Sequence, residues 1–312
     1  MSRVFLFPGQ GSQYVGMGKS LADSYMPARL VFEEVNEALG QNLSEIMWDG
    51  PEETLKLTEN TQPALMAHSM AVMRVLEDGG VDIAKVASHV AGHSLGEYSA
   101  LCAAKAFTLA DTARLLKIRG QAMQRAVPVG EGAMAAIIGL DLEVVEKVVA
   151  EAAVDGVVVS ANDNAPGQVV VSGEKVAVEK AIVLAKEQGA KMGMLLPVSA
   201  PFHCPLMQPA ADAMEQALSQ VTIAAPVVPV ISNVEAKPIT DPAVIKDLLV
   251  QQVTGVVRWR ESVLTMPSLG IDQAVELGAG KVLCGLLKRI DRSLSSLSIQ
   301  EPEDIDAFVA SL

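Results

Sequence analysis

The sequence predicts an α/β fold in which a large domain built on a parallel sheet carries a small inserted subdomain. Short apolar segments alternate with helical patterns over most of the 312 residues, an order typical of parallel sheets. A Gly-x-Ser-x-Gly motif at residues 92–96 lies between an apolar run and a run rich in alanine and leucine. The middle of the chain instead shows the order strand, helix, strand, strand, helix, strand.

A buried strand is predicted at residues 3–7, and the glycine-bearing loop 8–13 follows it. Two phosphate-binding motifs almost occur in this region. The dinucleotide fingerprint requires a third glycine where Tyr14 stands, and the P-loop requires its first glycine where Gln13 stands. The loop is therefore predicted to offer backbone N–H groups to an active site rather than to bind a nucleotide.

Two helices begin with recognisable signals. The pattern at 61–77 is predicted to begin with Thr61 as its N-cap and with Pro63 in its first turn, where the missing N–H costs little. Thr108 and Asp111 form a capping-box signature ahead of the next long helical pattern.

The serine of the Gly-x-Ser-x-Gly motif is the strongest candidate nucleophile. The runs 86–91 and 95–106 predict a strand before it and a helix after it, which is the setting of a nucleophile elbow. Gly92 and Gly96 lack a Cβ, so backbone can approach Ser94 closely. The hydroxyl is then exposed at a helix N-terminus, whose free N–H groups stabilise a developing anion. This interpretation makes the large domain α/β-hydrolase-like.

The inserted subdomain is predicted at residues 128–197. Its order of strands and helices is that of the ferredoxin-like unit, and turn-forming residues at 162–167 separate its two middle strands. Residues 1–127 and 198–312 together are predicted to form the large α/β-hydrolase-like domain.

Composition excludes several classes of protein. Half of the residues are hydrophobic and 20% are charged, as in folded enzymes. The net charge of −13 argues against a nucleic-acid partner, because phosphate contacts need concentrated lysine and arginine. No apolar run approaches the ~20 residues of a membrane span. The three cysteines and four histidines are scattered, so we expect no disulfide framework and no metal site. A cytoplasmic protein without membrane association is expected.

A serine hydroxyl needs an adjacent base, usually histidine, to act as a nucleophile near neutral pH. His203 lies in a short loop between two prolines, and loops of this kind deliver side chains to the edge of an α/β sheet. His93 adjoins Ser94 but is expected to point away and to pack or bond locally. His89 and His68 are expected to be structural. The residues therefore predict His203 as the base.

The position of this histidine is unusual for a hydrolase. In hydrolases of this fold the histidine follows an acidic partner and lies near the C-terminus. A long stretch of chain follows His203, and no acidic residue stands out as its partner. This arrangement argues against an ordinary esterase, and a neutral carbonyl could orient the imidazole instead.

Six segments carry further motifs. They are Phe-Pro-Gly-Gln-Gly-Ser-Gln at 7–13, Gly-His-Ser-Leu-Gly-Glu at 92–97, Met-Gln at 123–124, Asn-Ala-Pro-Gly-Gln-Val-Val-Val-Ser-Gly at 164–173, Ala-Pro-Phe-His at 200–203 and Leu-Gly-Ala-Gly-Lys-Val-Leu at 277–283. Together they resemble the malonyl-CoA:acyl carrier protein transacylases of bacterial fatty-acid synthesis, in register over nearly the whole chain. One departure is Ala279, where the family normally has proline.

The resemblance implies a ping-pong acyl transfer. Ser94 would attack the malonyl thioester, with His203 first as general base and then as general acid. The backbone N–H groups of Gln10 and Leu95 would form the oxyanion hole. Arg119 would pair bidentately with the free malonyl carboxylate.

Two more residues follow from the resemblance. Gln252 matches the glutamine whose backbone carbonyl orients the histidine, with the neighbouring Gln251 as the alternative. Phe202 is similar to the bulky residue associated with a preference for malonyl over methylmalonyl groups. Without the resemblance, Arg119 would be interpreted as solvated surface, as most helix arginines are.

The resemblance also implies the partners: malonyl-CoA as substrate, acyl carrier protein as acceptor, no cofactor, and a monomeric enzyme. The carrier protein is acidic, as this chain is, so local basic residues must overcome the repulsion between them. The candidates for that contact are Lys186, Lys191, Lys281, Lys288, Arg289 and Arg292.

Three other functions remain open from the residues. A serine thioesterase or acyl-CoA hydrolase would pass the acyl group to water. A catalytically inactive relative would only bind acyl-CoA or carrier protein. A malonyltransferase of another pathway would serve a polyketide or malonate-decarboxylase carrier.

Overall fold

The structure is a computed structural model that describes residues 2–312, and its strands form two sheets. The strands are β1 (Arg3–Phe7), β2 (His89–Gly92), β3 (Gly132–Ile138), β4 (Val158–Ala165), β5 (Gln168–Glu174), β6 (Met192–Leu195), β7 (Val230–Ile231), β8 (Pro238–Ile239), β9 (Gln273–Leu277) and β10 (Ser295–Ile299).

Helices connect and cover these strands. They are α1 (Lys19–Ser24), α2 (Met26–Leu39), α3 (Leu43–Asp49), α4 (Glu52–Lys56), α5 (Thr58–Asp78), α6 (Ile83–Val86), α7 (Leu95–Ala103), α8 (Leu109–Arg125), α9 (Leu142–Ala152), α10 (Lys175–Glu187), α11 (Gln208–Leu218), α12 (Pro242–Thr254), α13 (Trp259–Thr265), α14 (Val282–Ile290) and α15 (Pro302–Ala310). Among residues 2–312, none of these helices combines the length and apolarity that crossing a bilayer requires.

The larger sheet has six strands in the order β10-β9-β1-β2-β7-β8. All neighbouring strands in it are parallel except the short β8, which runs antiparallel to β7. The parallel sheet that the alternating pattern predicted is therefore confirmed. Phe7 pairs with Gly92, so β1 and β2 end together at one edge of the sheet. Loops that follow these strands converge at that edge.

The core lies on both faces of this sheet because side chains alternate along each strand. Phe5 and Phe7 are fully buried on one face, in the cluster that includes α2, α5, α7 and α8. Val4 and Leu6 are fully buried on the other face, against α13 and α14. Burial on both faces explains why β1 is an almost continuous apolar run.

The smaller sheet has four antiparallel strands in the order β4-β5-β3-β6. One face, which includes Ala135 and Ile137, packs against α9 and α10. Met134 and Val170 lie on the opposite face and line a cavity that the two sheets share. This open face is the part of the small sheet that reaches the candidate site.

Strand β4 joins the small sheet to the rest of the chain. The N–H of Asp163 donates to the carbonyl of Val257 over 3.0 Å, and the N–H of Val257 donates to Ala161 over 2.9 Å. The buried Asp163 carboxylate also pairs with Arg260 at 2.8 Å. These contacts hold β4 in a defined position beside the cavity.

Several predicted boundaries are wrong. Strand β2 begins at His89 rather than at residue 86, because 83–86 form the short helix α6, capped by Asp82. Helix α5 begins at Thr58, so Thr61 is not its N-cap and Pro63 lies inside the helix. The buried Thr61 hydroxyl instead donates to the carbonyl of Leu55 over 2.5 Å.

The predicted turn at 162–167 is shorter than expected. Strand β4 continues through Ala165, and only Pro166 and Gly167 form the turn, with Gly167 at φ +67°. Register shifts within this part of β4 show that turn-forming residues here produce bulges rather than a loop. The N-cap at Thr108 is confirmed, because its hydroxyl accepts from the N–H of Asp111 over 3.0 Å.

Candidate active site

Ser94 occupies a sharp bend between β2 and α7. Its backbone is at φ +54° and ψ −110°, a conformation that non-glycine residues rarely adopt. A Cβ on Gly92 would lie 1.9 Å from the carbonyl carbon of Gly96, and a Cβ on Gly96 would lie 2.2 Å from the oxygen of Phe7. Both glycines are therefore required by close backbone contacts, as in a nucleophile elbow.

Asn233 holds the bend from the neighbouring strand. Its side-chain oxygen accepts from the N–H of Ser94 over 2.7 Å, and its amide nitrogen donates to the carbonyl of Gly92 over 2.7 Å. The residue is fully buried just beyond β7. One side chain thus bridges the two sides of the strained turn.

The hydroxyl of Ser94 lies 2.8 Å from Nε2 of His203. On the other side of the ring, Nδ1 lies 2.8 Å from the backbone carbonyl of Gln252. Because a carbonyl can only accept, Nδ1 carries the proton and Nε2 is free to accept from the serine. Gln252 is fully buried and Gln251 is exposed, so the structure places Gln252 and not its neighbour behind the histidine.

The imidazole of His203 is buried beside a cation. Burial lowers the pKa of His203 to about 3, and the positive charge of Arg119 adds to the effect. The ring is therefore neutral at physiological pH and available as a proton acceptor.

Arg119 is only 1% exposed, so the expectation of a solvated surface arginine is wrong. Its guanidinium donates to the side-chain oxygens of Gln62 at 2.9 Å and of Gln252 at 2.8 Å. It also donates to Oγ of Ser94 at 3.1 Å. The serine oxygen thus accepts from the guanidinium while its proton faces the imidazole.

The guanidinium keeps donors for an anion. It lies 5.6 Å from the centre of the Tyr98 ring, which supports its flat face. Arginine has five N–H donors, of which three are used here, and the buried Nε has no partner among the described residues. Arg119 lines the cavity, so its positive charge is available to an anionic ligand there.

Gln10, Leu95 and Phe202 line the same cavity as Ser94. Within residues 2–312, neither the N–H of Gln10 nor that of Leu95 donates to an acceptor. Leu95 is the first residue of α7, where an N–H has no partner inside the helix. Two N–H groups without an acceptor thus belong to residues that line the cavity around Ser94.

The cavity has a volume of about 170 Å³ and lies between the two sheets. Apolar side chains such as Met134, Val170 and Phe202 line it together with polar residues that include Ser94, His203 and Arg119, a combination found in small-molecule sites. Cys204 does not line it; burial raises the pKa of this thiol, and Sγ donates to the carbonyl of Pro201 over 3.0 Å. Over residues 2–312, no cluster of side chains suited to holding a metal ion occurs.

Sequence reasoning missed four contributors to the site: Asn233, Gln62, Glu97 and the pair formed by His93 and Asn164. His93 packs against Trp259, with the ring centres 5.5 Å apart, but its hydrogen bond is not local, because its Nε2 lies 2.8 Å from Oδ1 of Asn164 across the boundary between the sheets. Glu97 directly follows the Gly-x-Ser-x-Gly motif, and Asn233 follows a strand that ends near Ser94, so the sequence positions of both could have identified them as site residues. Gln62 carried none, since only the fold brings it to the arginine.

Glu97 lies buried beneath the bend. Its carboxylate accepts from Nε2 of Gln252 over 2.7 Å and from the N–H of Asn233 over 3.2 Å. Burial raises the pKa of Glu97 to about 7, while these hydrogen bonds and the charge of Arg119 act in the opposite direction. A second ionisable group therefore lies within the site, out of contact with the cavity.

Comparison with known proteins identifies the family of this fold and site. The sequence profile of the acyl transferase domain matches residues 4–295. The malonyl CoA-acyl carrier protein transacylase of Escherichia coli strain K12 is 47% identical over 304 residues, which cover 97% of both chains. The solved acyl-carrier-protein S-malonyltransferase of Bartonella henselae is 55% identical with a TM-score of 0.98, covering 100% of this chain and 99% of that one.

Another solved structure contains a malonyl-transacylase in complex with its type II PKS acyl-carrier protein. It is 41% identical to this chain with a TM-score of 0.97, and it covers 100% of both chains. The match in sequence and in fold extends over the whole chain, so the elbow and the buried arginine lie within the matched region. The chain belongs to the acyl transferase domain family.

Proposed function

We propose that this protein transfers the malonyl group from malonyl-CoA to the phosphopantetheine thiol of an acyl carrier protein, through a malonyl-serine intermediate. One observation carries the proposal: the hydroxyl of Ser94 contacts the base His203 and the cation Arg119 at the same time. A nucleophile, its base and a fixed positive charge for a free carboxylate thus meet in one cavity. The relatives' names support the same acyl group and acceptor, and the family resemblance of the motifs supports a role in fatty-acid synthesis.

In the first half-reaction His203 takes the proton of Ser94 as Oγ attacks the thioester carbonyl. The carbonyl oxygen becomes an anion, which the N–H groups of Leu95 and Gln10 stabilise. The intermediate then collapses and the bond to sulfur breaks. The CoA thiolate leaves and takes the proton from His203.

In the second half-reaction the carrier thiol gives its proton to His203 and attacks the malonyl ester. The same two N–H groups stabilise the second anion. Collapse breaks the bond to Oγ, and the imidazole returns its proton to Ser94. Each proton that leaves a reactant returns to a product, so the cycle needs no cofactor.

Arg119 gives the site its preference for an acyl group with a carboxylate. Arg119 lines the cavity beside Ser94, and a bidentate pair between its guanidinium and a carboxylate would fix the acyl group in one orientation. Phe202, 8% exposed at the wall, limits the space beside the acyl chain. Both effects favour a small dicarboxylic acyl group such as malonyl.

We further propose that the chain divides as its sequence suggests, into a large α/β-hydrolase-like domain (1–127 and 198–312) and a ferredoxin-like subdomain (128–197). The strand order β4-β5-β3-β6 with two helices on one face supports this assignment. The division places the nucleophile and base on the large domain and one wall of the cavity on the small one.

The carrier protein is proposed to dock where α14 meets the small sheet. Lys288, Arg289 and Arg292 line one surface depression, and Arg289 contacts the side chain of Gln168 at the start of β5. This basic cluster complements an acidic carrier.

The transfer itself is tested with malonyl-CoA and purified carrier proteins in one mixture. The expected product is malonyl-carrier with little free malonate, and the mass of the enzyme should show one malonyl group on Ser94. Ser94→Ala should abolish both the label and the transfer. Free malonate as the main product would identify a thioesterase, and a label that moves to Cys204 would refute the nucleophile.

Arg119→Ala should lower malonyl loading of Ser94 by about 100-fold or more, since two charged hydrogen bonds to the carboxylate are lost. Loading from acetyl-CoA should persist, because an acetyl group has no carboxylate to bind. Single-turnover acylation followed by mass measures both rates. Undiminished malonyl loading would contradict the role of Arg119.

The pH profile should reflect the lowered pKa of His203. Because the folded-state pKa is depressed to about 3, the neutral base is present above that value and is lost only as the pH falls through it. In Glu97→Gln, which lacks the site carboxyl group with a pKa of about 7, the second-order rate constant for acylation by malonyl-CoA should therefore stay nearly constant from about pH 7.5 to about pH 5.5. A fall in this rate constant around pH 6.5 that remains in Glu97→Gln would show that the pKa of His203 is not lowered, and would contradict the expectation.

Charge reversal at the basic cluster should weaken carrier binding alone. Lys288→Glu combined with Arg289→Glu should raise the KM for carrier protein and leave the KM for malonyl-CoA unchanged. Lys147→Glu combined with Lys180→Glu, at exposed positions of α9 and α10, is the matched control. An equal rise in the control would indicate a general charge effect and no docking site.

A further inference from the structure

The side chain of Gln252 lies between two charged groups. Its Oε1 accepts from Nη2 of Arg119 at 2.8 Å, and its Nε2 donates to Glu97 at 2.7 Å and to the carbonyl of Ser94 at 3.0 Å. The residue is fully buried. The backbone carbonyl of the same residue holds His203, so its side chain has a separate set of contacts.

An amide can be placed in two ways that differ by a flip of its oxygen and nitrogen. A carboxylate without a proton can only accept, so Glu97 selects the orientation that turns the NH₂ group toward it. That orientation turns Oε1 of Gln252 toward Arg119. In the flipped orientation the NH₂ group of Gln252 would face the donor Nη2 of Arg119, and its oxygen would face the acceptor oxygens of Glu97 and Ser94. These hydrogen bonds would then be lost, and each unmade buried hydrogen bond is costly.

We propose that Glu97 and the side chain of Gln252 are positioning residues that orient the Arg119 guanidinium for an acyl carboxylate. The inference rests on the proposed malonyl transfer. Gln62 holds Nη1 and Gln252 holds Nη2, so the plane of the guanidinium is set from both ends.

The amide also keeps the carboxylate of Glu97 away from the guanidinium. A direct, bidentate pair between Glu97 and Arg119 would occupy the donors that the substrate needs. With Gln252 between them, the buried positive charge has the Glu97 carboxyl group nearby, which is ionised above its pKa of about 7, and still keeps unused N–H groups. The arrangement stabilises the cation without competing with the ligand.

The decisive variant is Gln252→Met, which removes the amide and keeps the main-chain carbonyl that orients His203. Single-turnover acylation of Ser94 is measured with malonyl-CoA and with acetyl-CoA, with the mass of the enzyme as readout. We expect the ratio of the malonyl rate to the acetyl rate to fall by about 10- to 100-fold. An unchanged ratio, or equal losses with both thioesters, would overturn the inference, because a merely structural role predicts no change in preference.

Variants at Glu97 test whether this residue fixes the orientation of the Gln252 amide. Glu97→Gln keeps an acceptor for the Gln252 amide and should keep the preference, whereas Glu97→Met should lose it. The double variant Glu97→Met with Gln252→Met should be no less selective than Gln252→Met alone. Additive losses would overturn the link between the two residues. If Glu97→Met does not fold, loss of preference in Glu97→Gln, which keeps the acceptor, still counts against the inference.

Wild-type protein and Arg119→Ala separate the two levels of the proposal. If wild-type protein does not load malonyl groups at all, the proposed function fails. If wild-type protein prefers malonyl, Arg119→Ala loses that preference and Gln252→Met keeps it, only the positioning role fails.

Discussion

The buried charge of Arg119 is the constraint on which the rest of the site depends. A guanidinium removed from water is tolerated only when acceptors surround it. Here α5 supplies Gln62, α12 supplies Gln252, and the turn before α7 supplies Ser94. These elements must pack against α8 for the buried charge to be stable. The packing that supplies acceptors to Arg119 therefore also sets the position of Ser94.

The same cation sets the character of the base. It lies close enough to lower the pKa of His203, and the partner behind the imidazole is a carbonyl rather than a carboxylate. Both features keep the histidine neutral and only weakly basic. A thioester suits this base, because a thiolate is a good leaving group and needs less help than an alkoxide or an amine. The arrangement also explains why the acidic residue expected in a hydrolase is missing from the sequence.

Local signals predicted the parts of the molecule that depend on neighbouring residues. The elbow at Ser94 needs two glycines for close backbone contacts, and both are visible in the motif. The N-cap at Thr108 depends on a residue three positions away. By contrast, the start of α5 was misplaced, since Thr61 looks like an N-cap but is buried in the second turn with its hydroxyl on Leu55. Tertiary packing overrode a capping preference of about 1 kcal/mol.

The sequence by itself predicted the fold class, a candidate nucleophile at Ser94 and a candidate base at His203, and its motifs carried the resemblance that pointed to Arg119, because motifs and periodicity are properties of adjacent residues. Only the tertiary structure decided between Gln251 and Gln252, buried the arginine, and brought Gln62 and Asn233 to the site. These contacts join residues far apart in the chain. Their energies come from desolvation and hydrogen bonding in a shared interior, which no local pattern records.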